Sequence, residues 1–450
     1  MANCRQCGTK LPAFSIGELS PYCKECRREA PAPESDRIDV PAVTSPATGL
    51  LTATNLLILI NAGMYVAMVI AGVPWDDPTG LQVLPWGADY GPNTVGGQYW
   101  RLITSAFVHF GIIHIAVNMW CLWSLGRLHE KLLGPFSTFG IYLVTGIGSS
   151  LLSLSWEPMR VSAGASGAIF GIAGSLISVL QFGKLNLDPV KKRKVLGYVV
   201  KFALLNLIGG LAAHVDNMGH LGGLVTGLLA GLFLARSFAL PSEDRGGQHR
   251  NVLLVSVAVL AMLTVPVMKA KSYAAELLRG ERALDQGDCT PAMDHLRKYS
   301  AARPEDAYPH ALLGSCLQRL ERHDEAVQEY EGALALHPSY PYVQENLAKI
   351  YIEQKHPKKA VALFQKDALT TAPDPRLLFW YAKALKEADD LVEADRQVRR
   401  AITVDSKVSY THYLLAEILE AEGKGDETAK ERGIADDLAA KEEKRSPTKQ

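Results

Sequence analysis

The 450-residue chain lacks a net charge, because its 47 lysine and arginine residues equal its 47 aspartate and glutamate residues. Proteins that bind nucleic acid usually carry an excess of basic residues or a strongly basic patch. The balance therefore gives no support to nucleic acid as a partner. It also conceals a division along the chain: long apolar runs dominate residues 51–270, whereas the residues that follow are rich in charge and alanine.

The first fifty residues lack the apolar stretch that a cleavable signal peptide requires. We therefore expect the first membrane helix itself to direct insertion. Within this part, residues 29–50 are rich in proline, alanine and serine, which is the composition of a flexible linker.

Cysteine is scarce, with seven in the chain, and four of them lie close together near the amino terminus. Cys4 and Cys7 form one C-x2-C pair, and Cys23 and Cys26 form a second. This spacing predicts a zinc ribbon over residues 1–28, in which four thiolates hold one structural zinc ion. Two disulfides or free thiols are the alternative, and a reducing cytosol disfavours the disulfides.

Seven apolar segments predict a mainly α-helical, polytopic membrane protein. Each approaches the roughly 20 residues that cross the hydrocarbon core of a bilayer. They occupy residues 51–73, 103–126, 136–156, 163–182, 195–213, 219–238 and 251–269. The first six compose a membrane core over residues 51–240, and the seventh, with Pro266 near its end, is the weakest of the set.

Lysine and arginine are distributed unequally between the loops that join these segments. If the amino terminus is cytosolic, the inner loops hold basic clusters near residues 127–131, 184–194 and 236–250, and the outer loops hold only Arg101 and Arg160. Basic residues concentrate on the cytosolic side of membrane proteins, so the asymmetry predicts this orientation. Seven spans then place the carboxy-terminal residues outside the cytosol.

The carboxy-terminal part contains an internal repeat with a period of 34 residues. Alanine recurs at this interval at Ala292, Ala326, Ala360 and Ala394. The period resembles the tetratricopeptide repeat, in which small residues let two antiparallel helices approach and a proline ends the second. We predict an α-solenoid of four copies and a degenerate fifth over residues 270–440, which binds protein or peptide partners, and a charged tail over residues 441–450.

Three of the apolar segments contain polar residues, which are costly at membrane depth. His114 and Asn118 share one helical face on the second segment, Ser166 lies near the start of the fourth, and His220 begins the sixth. Taken singly, each suits helix packing, because glycines surround Ser166 and His220 and polar side chains can bond between helices. Their shared depth in the outer half instead indicates the parts of an acyl-transfer site.

These residues resemble the rhomboid family of intramembrane serine proteases. The matching motifs are Trp100-Arg101, His114-x3-Asn118, Gly164-Ala165-Ser166-Gly167 continuing to Phe170-Gly171, and His220-x2-Gly223-x3-Gly227. They occur in the family's order and on the second, fourth and sixth helices of the core. The resemblance covers about residues 51–238, and the added seventh helix and repeats are similar to one bacterial branch of the family.

The resemblance implies a Ser–His dyad, in which Ser166 attacks the scissile carbonyl while His220 takes its proton and later gives it to the leaving amine. The resemblance also implies that His114, Asn118 and the backbone N–H of Ser166 donate hydrogen bonds to the oxyanion. Phe170 is expected to stack against the imidazole. Three glycines are expected to support the site by allowing close approach: Gly164, Gly167 and Gly223.

Two nearby residues compete for a catalytic role. His214 is a rival base, but it lacks the glycine stripe that follows His220. Asp216 lies four residues before His220 and can be mistaken for the acid of a triad. We expect Asp216 to end the fifth helix or to cap the sixth beside Asn217, outside the catalytic set.

The resemblance implies an endopeptidase of a bacterial inner or plasma membrane, with a cytosolic amino terminus and extracytosolic repeats. It would cleave transmembrane proteins near the outer face of the bilayer and would need no cofactor for the chemistry. The alternative is a catalytically silent relative that binds membrane proteins, or adapts them to others, through its repeats. The presence of both Ser166 and His220 favours the enzyme.

Overall fold

The computed structural model describes residues 52–212, 215–365 and 374–445. Within these residues the chain is almost entirely helical, which confirms the mainly α fold class. It divides into two compact units, one of residues 52–90 with 98–269 and the other of residues 91–97 with 270–445. The predicted zinc ribbon over residues 1–28 and the linker that follows it lie outside the described residues.

The helices up to residue 270 are numbered in chain order. They are α1 (Ala53–Ile70), α2 (Gly80–Val83), α3 (Gly91–Val95), α4 (Arg101–Thr104), α5 (Gly111–Trp156), α6 (Ser166–Phe182), α7 (Pro189–Ala212), α8 (Asn217–Arg236) and α9 (Ser242–Ala270). Among the described residues, four stretches are long and apolar enough to cross a bilayer: α1, α5, Asn217–Ala239 with α8, and α9. Helix α6 is a shorter apolar helix.

Helix α5 is two membrane helices joined without a loop. It covers 46 residues, but Gly134 inside it has φ 83° and ψ 166°, which are not helical values, and Pro135 follows. A glycine adopts a positive φ at little cost, and a proline begins a new helix well because its missing N–H is not needed there. The two arms correspond to the predicted segments 103–126 and 136–156.

The first arm of α5 begins at Gly111, later than the predicted start at residue 103. Residues 101–107 instead form two short helical turns, and Val108 is extended. Gly111 has φ +83°, and a Cβ atom there would stand 1.9 Å from the carbonyl oxygen of Asp76. The chain therefore turns sharply at Gly111, and His109 lies before the helix rather than within it.

Helices α6 and α8 pack backbone against backbone along a stripe of glycines. A Cβ atom on Gly223 would lie 1.9 Å from the carbonyl oxygen of Gly167, and one on Gly227 would lie 2.0 Å from that of Gly171. Side chains at these positions would force the helices apart. The stripe brings the first turns of the two helices side by side, with Ser166 on one and His220 on the other.

Two buried histidines fasten the turn of α5 to neighbouring helices, and each ring nitrogen of both faces a hydroxyl group. The four distances are 2.8 Å from His129 Nδ1 to Thr138 Oγ1, 3.1 Å from His129 Nε2 to Ser175 Oγ, 2.8 Å from His249 Nδ1 to Ser137 Oγ and 2.8 Å from His249 Nε2 to Ser237 Oγ. His249 belongs to α9, so its bonds attach the seventh predicted membrane helix to the second arm of α5.

In the described residues of the second unit, ten helices follow α9. They are α10 (Tyr273–Asp285), α11 (Cys289–Ala302), α12 (Ala307–Arg319), α13 (His323–Leu336), α14 (Pro341–Glu353), α15 (Pro357–Phe364), α16 (Pro375–Glu387), α17 (Leu391–Val404), α18 (Ser409–Ala421) and α19 (Gly425–Arg445). Consecutive helices form five pairs, as the repeat period predicts. In one pair, Gly314 faces the ring of Tyr330, where a Cβ atom would stand only 2.6 Å from the ring.

Candidate active site

The hydroxyl of Ser166 and the imidazole of His220 form a hydrogen bond across the α6–α8 contact. Ser166 is the first residue of α6, and His220 lies in the first turn of α8. The distance between Ser166 Oγ and His220 Nε2 is 2.9 Å. A hydroxyl at this distance from an imidazole nitrogen can pass its proton to the ring as it attacks a carbonyl carbon.

Phe170 fixes the plane of the His220 ring. The two rings stack with their centroids 4.4 Å apart and their planes inclined by 14°. Phe170 follows Ser166 by one helical turn, as expected from the sequence, and its other neighbour is Phe202 of α7, at a centroid distance of 5.8 Å. The second ring nitrogen, His220 Nδ1, is buried and has no hydrogen-bond partner within the described part of the chain. Stacking, rather than a carboxylate, orients this imidazole.

His114 presents a hydrogen-bond donor toward the same region. Its Nδ1 accepts a bond from the backbone N–H of Phe110 at 3.2 Å, so in the neutral ring the hydrogen is on Nε2. The ring lies against Gly164, which has φ +131° and where a Cβ atom would stand 2.8 Å from His114 Cε1. Only glycine fits this position, because both the backbone angle and the space exclude a side chain.

Asn118 lies one turn further along α5 and is 5% exposed. Its Nδ2 donates one hydrogen bond to the carbonyl oxygen of His114 at 2.9 Å. An amide nitrogen carries two hydrogens, so a second N–H remains for a ligand. The backbone N–H of Ser166 is also one of the first-turn groups that have no partner within their own helix. His114, Asn118 and Ser166 line the same cleft.

His109 is a supporting residue whose role the sequence did not reveal. It is fully buried, and its Nε2 accepts a hydrogen bond from the backbone N–H of Ala165 at 3.4 Å. The adjacent N–H of Gly164 donates to the carbonyl oxygen of Ser105 at 2.9 Å. Together these bonds hold the backbone immediately before Ser166. The only sequence signal was a second histidine five residues before His114.

The Trp100-Arg101 motif stabilises a loop rather than contributing to the dyad. Arg101 is buried, and its Nη1 donates to the carbonyl oxygens of Leu84 at 2.7 Å and Ala88 at 2.6 Å. Its guanidinium carbon lies 4.7 Å from the centre of the Trp100 ring. The cation therefore holds together the long connection between α1 and α5.

A cleft of about 750 Å³ opens beside the dyad. Its walls combine apolar side chains such as Ile113, Val117 and Leu205 with the polar groups of His114, Asn118, Ser166 and His220. A mainly apolar cleft with a few convergent polar groups is typical of a substrate site. The rival base His214 lies outside the described residues. Asp216 caps α8, where its Oδ1 accepts from the N–H of Gly219 at 2.8 Å.

Comparisons with known proteins match both units. The Rhomboid domain family matches residues 96–237, and the tetratricopeptide repeat family matches residues 317–378. Rhomboid protease AarA of Providencia stuartii is 32% identical over 203 residues, which are 40% of this chain and 72% of that protein. Rhomboid protease GluP of Bacillus subtilis is 29% identical over 309 residues, which are 68% of this chain and 59% of that protein.

Among solved structures, MamA of Desulfovibrio magneticus RS-1 is similar at 17% identity and a TM-score of 0.34. The similarity covers 38% of this chain and 96% of MamA.

Proposed function

Because the chain belongs to the rhomboid family, we propose that it is an intramembrane serine endopeptidase that cleaves transmembrane proteins near the outer face of the membrane. The observation that carries this proposal is the 2.9 Å hydrogen bond between Ser166 and His220, at the starts of two helices in backbone contact. The chain spans 59% of the length of GluP. The proposed class of substrate is therefore inferred from the family and the site, and not from GluP itself.

In the proposed mechanism, Ser166 Oγ attacks the carbonyl carbon of the scissile peptide bond while His220 Nε2 takes the hydroxyl proton. The carbonyl oxygen becomes an oxyanion, which accepts hydrogen bonds from His114 Nε2–H, Asn118 Nδ2–H and the N–H of Ser166. His220 then gives its proton to the leaving amine, and the acyl group stays on Ser166. A water molecule, deprotonated by His220, hydrolyses this ester and regenerates the hydroxyl. The family's chemistry needs no cofactor.

Covalent labelling tests the proposal directly. Intact protein in detergent should react with a fluorophosphonate probe in a 1:1 ratio, and mass spectrometry should locate the adduct on Ser166, because His220 activates that hydroxyl. Heat-denatured protein is the control and should not react. Absence of labelling in folded protein would favour the silent membrane-protein binder, and an adduct on another serine would reject the assigned nucleophile.

We further propose that the amino terminus is cytosolic and that the repeats lie outside the cytosol. The distribution of lysine and arginine supports this orientation, as does the length of α9, which is 29 residues. The repeats would then bind protein or peptide partners, such as substrate ectodomains or an adaptor, on the side where the cleavage takes place.

Reporter fusions test this orientation. Alkaline phosphatase fused after residue 440 should be active, because it folds only when exported, and green fluorescent protein fused at the same position should stay dark. A phosphatase fused after Phe182, at the end of α6, is the control and should be inactive on the cytosolic side. The opposite pattern at residue 440 would mean that α9 does not span the membrane.

For the amino-terminal segment we propose a structural zinc ion held by Cys4, Cys7, Cys23 and Cys26. The spacing of the two C-x2-C pairs supports it, and four thiolates leave no open position for catalysis. The zinc would therefore stabilise an accessory domain and contribute nothing to the hydrolytic site.

A further inference from the structure

Two polar residues occupy matching positions in front of the dyad. Ser162 lies four residues before Ser166, and Asp216 lies four residues before His220. The hydroxyl of Ser162 donates a hydrogen bond to Asp216 Oδ2 at 2.5 Å. The side chains that precede the nucleophile and the base are therefore joined directly to one another, and we call this pair the strap.

Each end of the strap is itself held in place. Ser162 exchanges two backbone hydrogen bonds with Asp89, both of 2.8 Å, as an isolated antiparallel bridge. Asp216 accepts from the N–H of Gly219 through Oδ1 at 2.8 Å, and its backbone oxygen accepts from the N–H of His220 at 3.0 Å. The two carboxylate oxygens thus perform different tasks, since one caps α8 and the other binds the segment that leads into α6.

We propose that Ser162 and Asp216 are positioning residues for the dyad, an inference that rests on the proposed function. Neither touches the reacting atoms. The strap fixes the segment before Ser166 relative to the first turn of α8, and so sets the distance between Ser166 Oγ and His220 Nε2. A hydroxyl bound to a carboxylate is among the stronger hydrogen bonds in proteins, and small displacements of catalytic groups are costly.

The chemistry of asparagine separates the two tasks of Asp216. Asparagine caps helices about as well as aspartate, but its amide has one oxygen. In Asp216→Asn the oxygen can cap α8, and the amide N–H can donate only a neutral hydrogen bond to the Ser162 oxygen, in place of the bond that the carboxylate accepts. Helix capping, and with it the fold, should therefore survive while the strap becomes a weaker bond with its direction reversed. Ser162→Ala removes the strap from the other side.

The experiment compares kinetics of Ser162→Ala, Asp216→Asn and the double variant in full-length protein. We expect kcat for a transmembrane substrate to fall by about 10- to 100-fold with KM within about twofold, because groups are misplaced rather than lost. The rate of fluorophosphonate labelling at Ser166 should fall by the same factor. The double variant should be no slower than Ser162→Ala alone, since both changes act on one interaction. Ser162→Thr keeps the hydroxyl and should recover most of the activity.

Two variants in the same unit serve as matched controls. Asp188 precedes α7, and its Oδ1 accepts a capping bond from the N–H of Lys191, at 2.8 Å. The hydroxyl of Ser155 bonds within its own helix, to the carbonyl oxygen of Leu152 at 2.9 Å. Asp188→Asn and Ser155→Ala should behave as the wild type in every assay.

Three outcomes would overturn the positioning role. The first is unchanged kinetics in both strap variants. The second is a lower cleavage rate for the transmembrane substrate with an unchanged rate of probe labelling, which would mean that the strap controls access of the substrate and not the geometry of the dyad. The third is unchanged amide hydrogen exchange at Gly164 and Ala165, a readout that needs no activity. Wild-type protein that the probe does not label would instead reject the proposed function, and amide exchange would still test the strap.

Discussion

Ser166→Ala should leave the protein folded and unable to cleave a reporter transmembrane substrate, with a loss of at least roughly four orders of magnitude in kcat/KM. The reason is that the acyl-enzyme cannot form without the hydroxyl, and an uncatalysed water attack at the same bond is slow. His220→Ala should lose almost as much, because no other group in the described residues bonds to the Ser166 hydroxyl in its place. Cleavage is measured with purified variants in detergent, and thermal unfolding establishes that each variant is folded.

His214→Ala is the control for the assignment of the base, and it should keep most of the wild-type rate. The double variant Ser166→Ala/His220→Ala should be no worse than Ser166→Ala alone, because the two residues act as one unit. An inactive His214→Ala together with an active His220→Ala would show that the base is assigned to the wrong histidine.

Gly223→Ala should strongly reduce cleavage through a single added carbon atom. That carbon would stand 1.9 Å from the carbonyl oxygen of Gly167, a backbone atom that cannot swing aside as a flexible side chain can. Helices α6 and α8 would have to separate, and Ser166 and His220 sit in their adjoining first turns. We expect a destabilisation of about 1–3 kcal/mol from overpacking and a loss of activity of about 100-fold or more.

Two further variants distinguish separation of the dyad from simple loss of stability. Gly227→Ala meets the carbonyl oxygen of Gly171 at 2.0 Å, one turn further from the dyad, and should destabilise the protein similarly with a smaller loss of activity. Gly63 lies in α1, and a Cβ atom there would meet no atom of another described segment within 4 Å, so Gly63→Ala should be neutral or slightly stabilising. Normal cleavage by Gly223→Ala would mean that the close contact is not needed for catalysis.

The amino-acid sequence predicted the helices and the close approach of Ser166 and His220 because both depend on local signals. Apolar segments of membrane length and the 34-residue spacing of alanines mark helices whatever their partners are. The glycines that flank Ser166 and follow His220 predicted a close helix contact, and the structure brings the two residues within 2.9 Å. These signals consist of residue type and spacing, so they can be recognised from the sequence without a three-dimensional structure.

Features that depend on the path of the backbone were not predictable in the same way. The segment 103–126 is apolar throughout, and its helical start at Gly111 is set by the tight approach to Asp76, which is distant in sequence. The same turn removes His109 from the helix and points it at Ala165. The bond between Ser162 and Asp216 joins two loops that no periodicity relates, so only the folded chain reveals it.

The hydrogen bonds around His129 and His249 have a fixed direction. A hydroxyl has one hydrogen, and those of Thr138 and Ser237 are already given to the carbonyl oxygens of Gly134 and Leu234. Both hydroxyl oxygens must therefore accept from the imidazoles, which places the hydrogen of one ring on Nδ1 and that of the other on Nε2.

The opposite nitrogen of each ring must then accept a hydrogen from Ser175 or from Ser137. Each histidine therefore accepts a hydrogen bond from a serine hydroxyl through one ring nitrogen and donates to a second hydroxyl through the other. That second hydroxyl in turn donates to a backbone carbonyl oxygen. A proton added to His249 would require the Ser137 hydroxyl to turn and accept rather than donate, so the bonds that attach α9 to the bundle would have to rearrange.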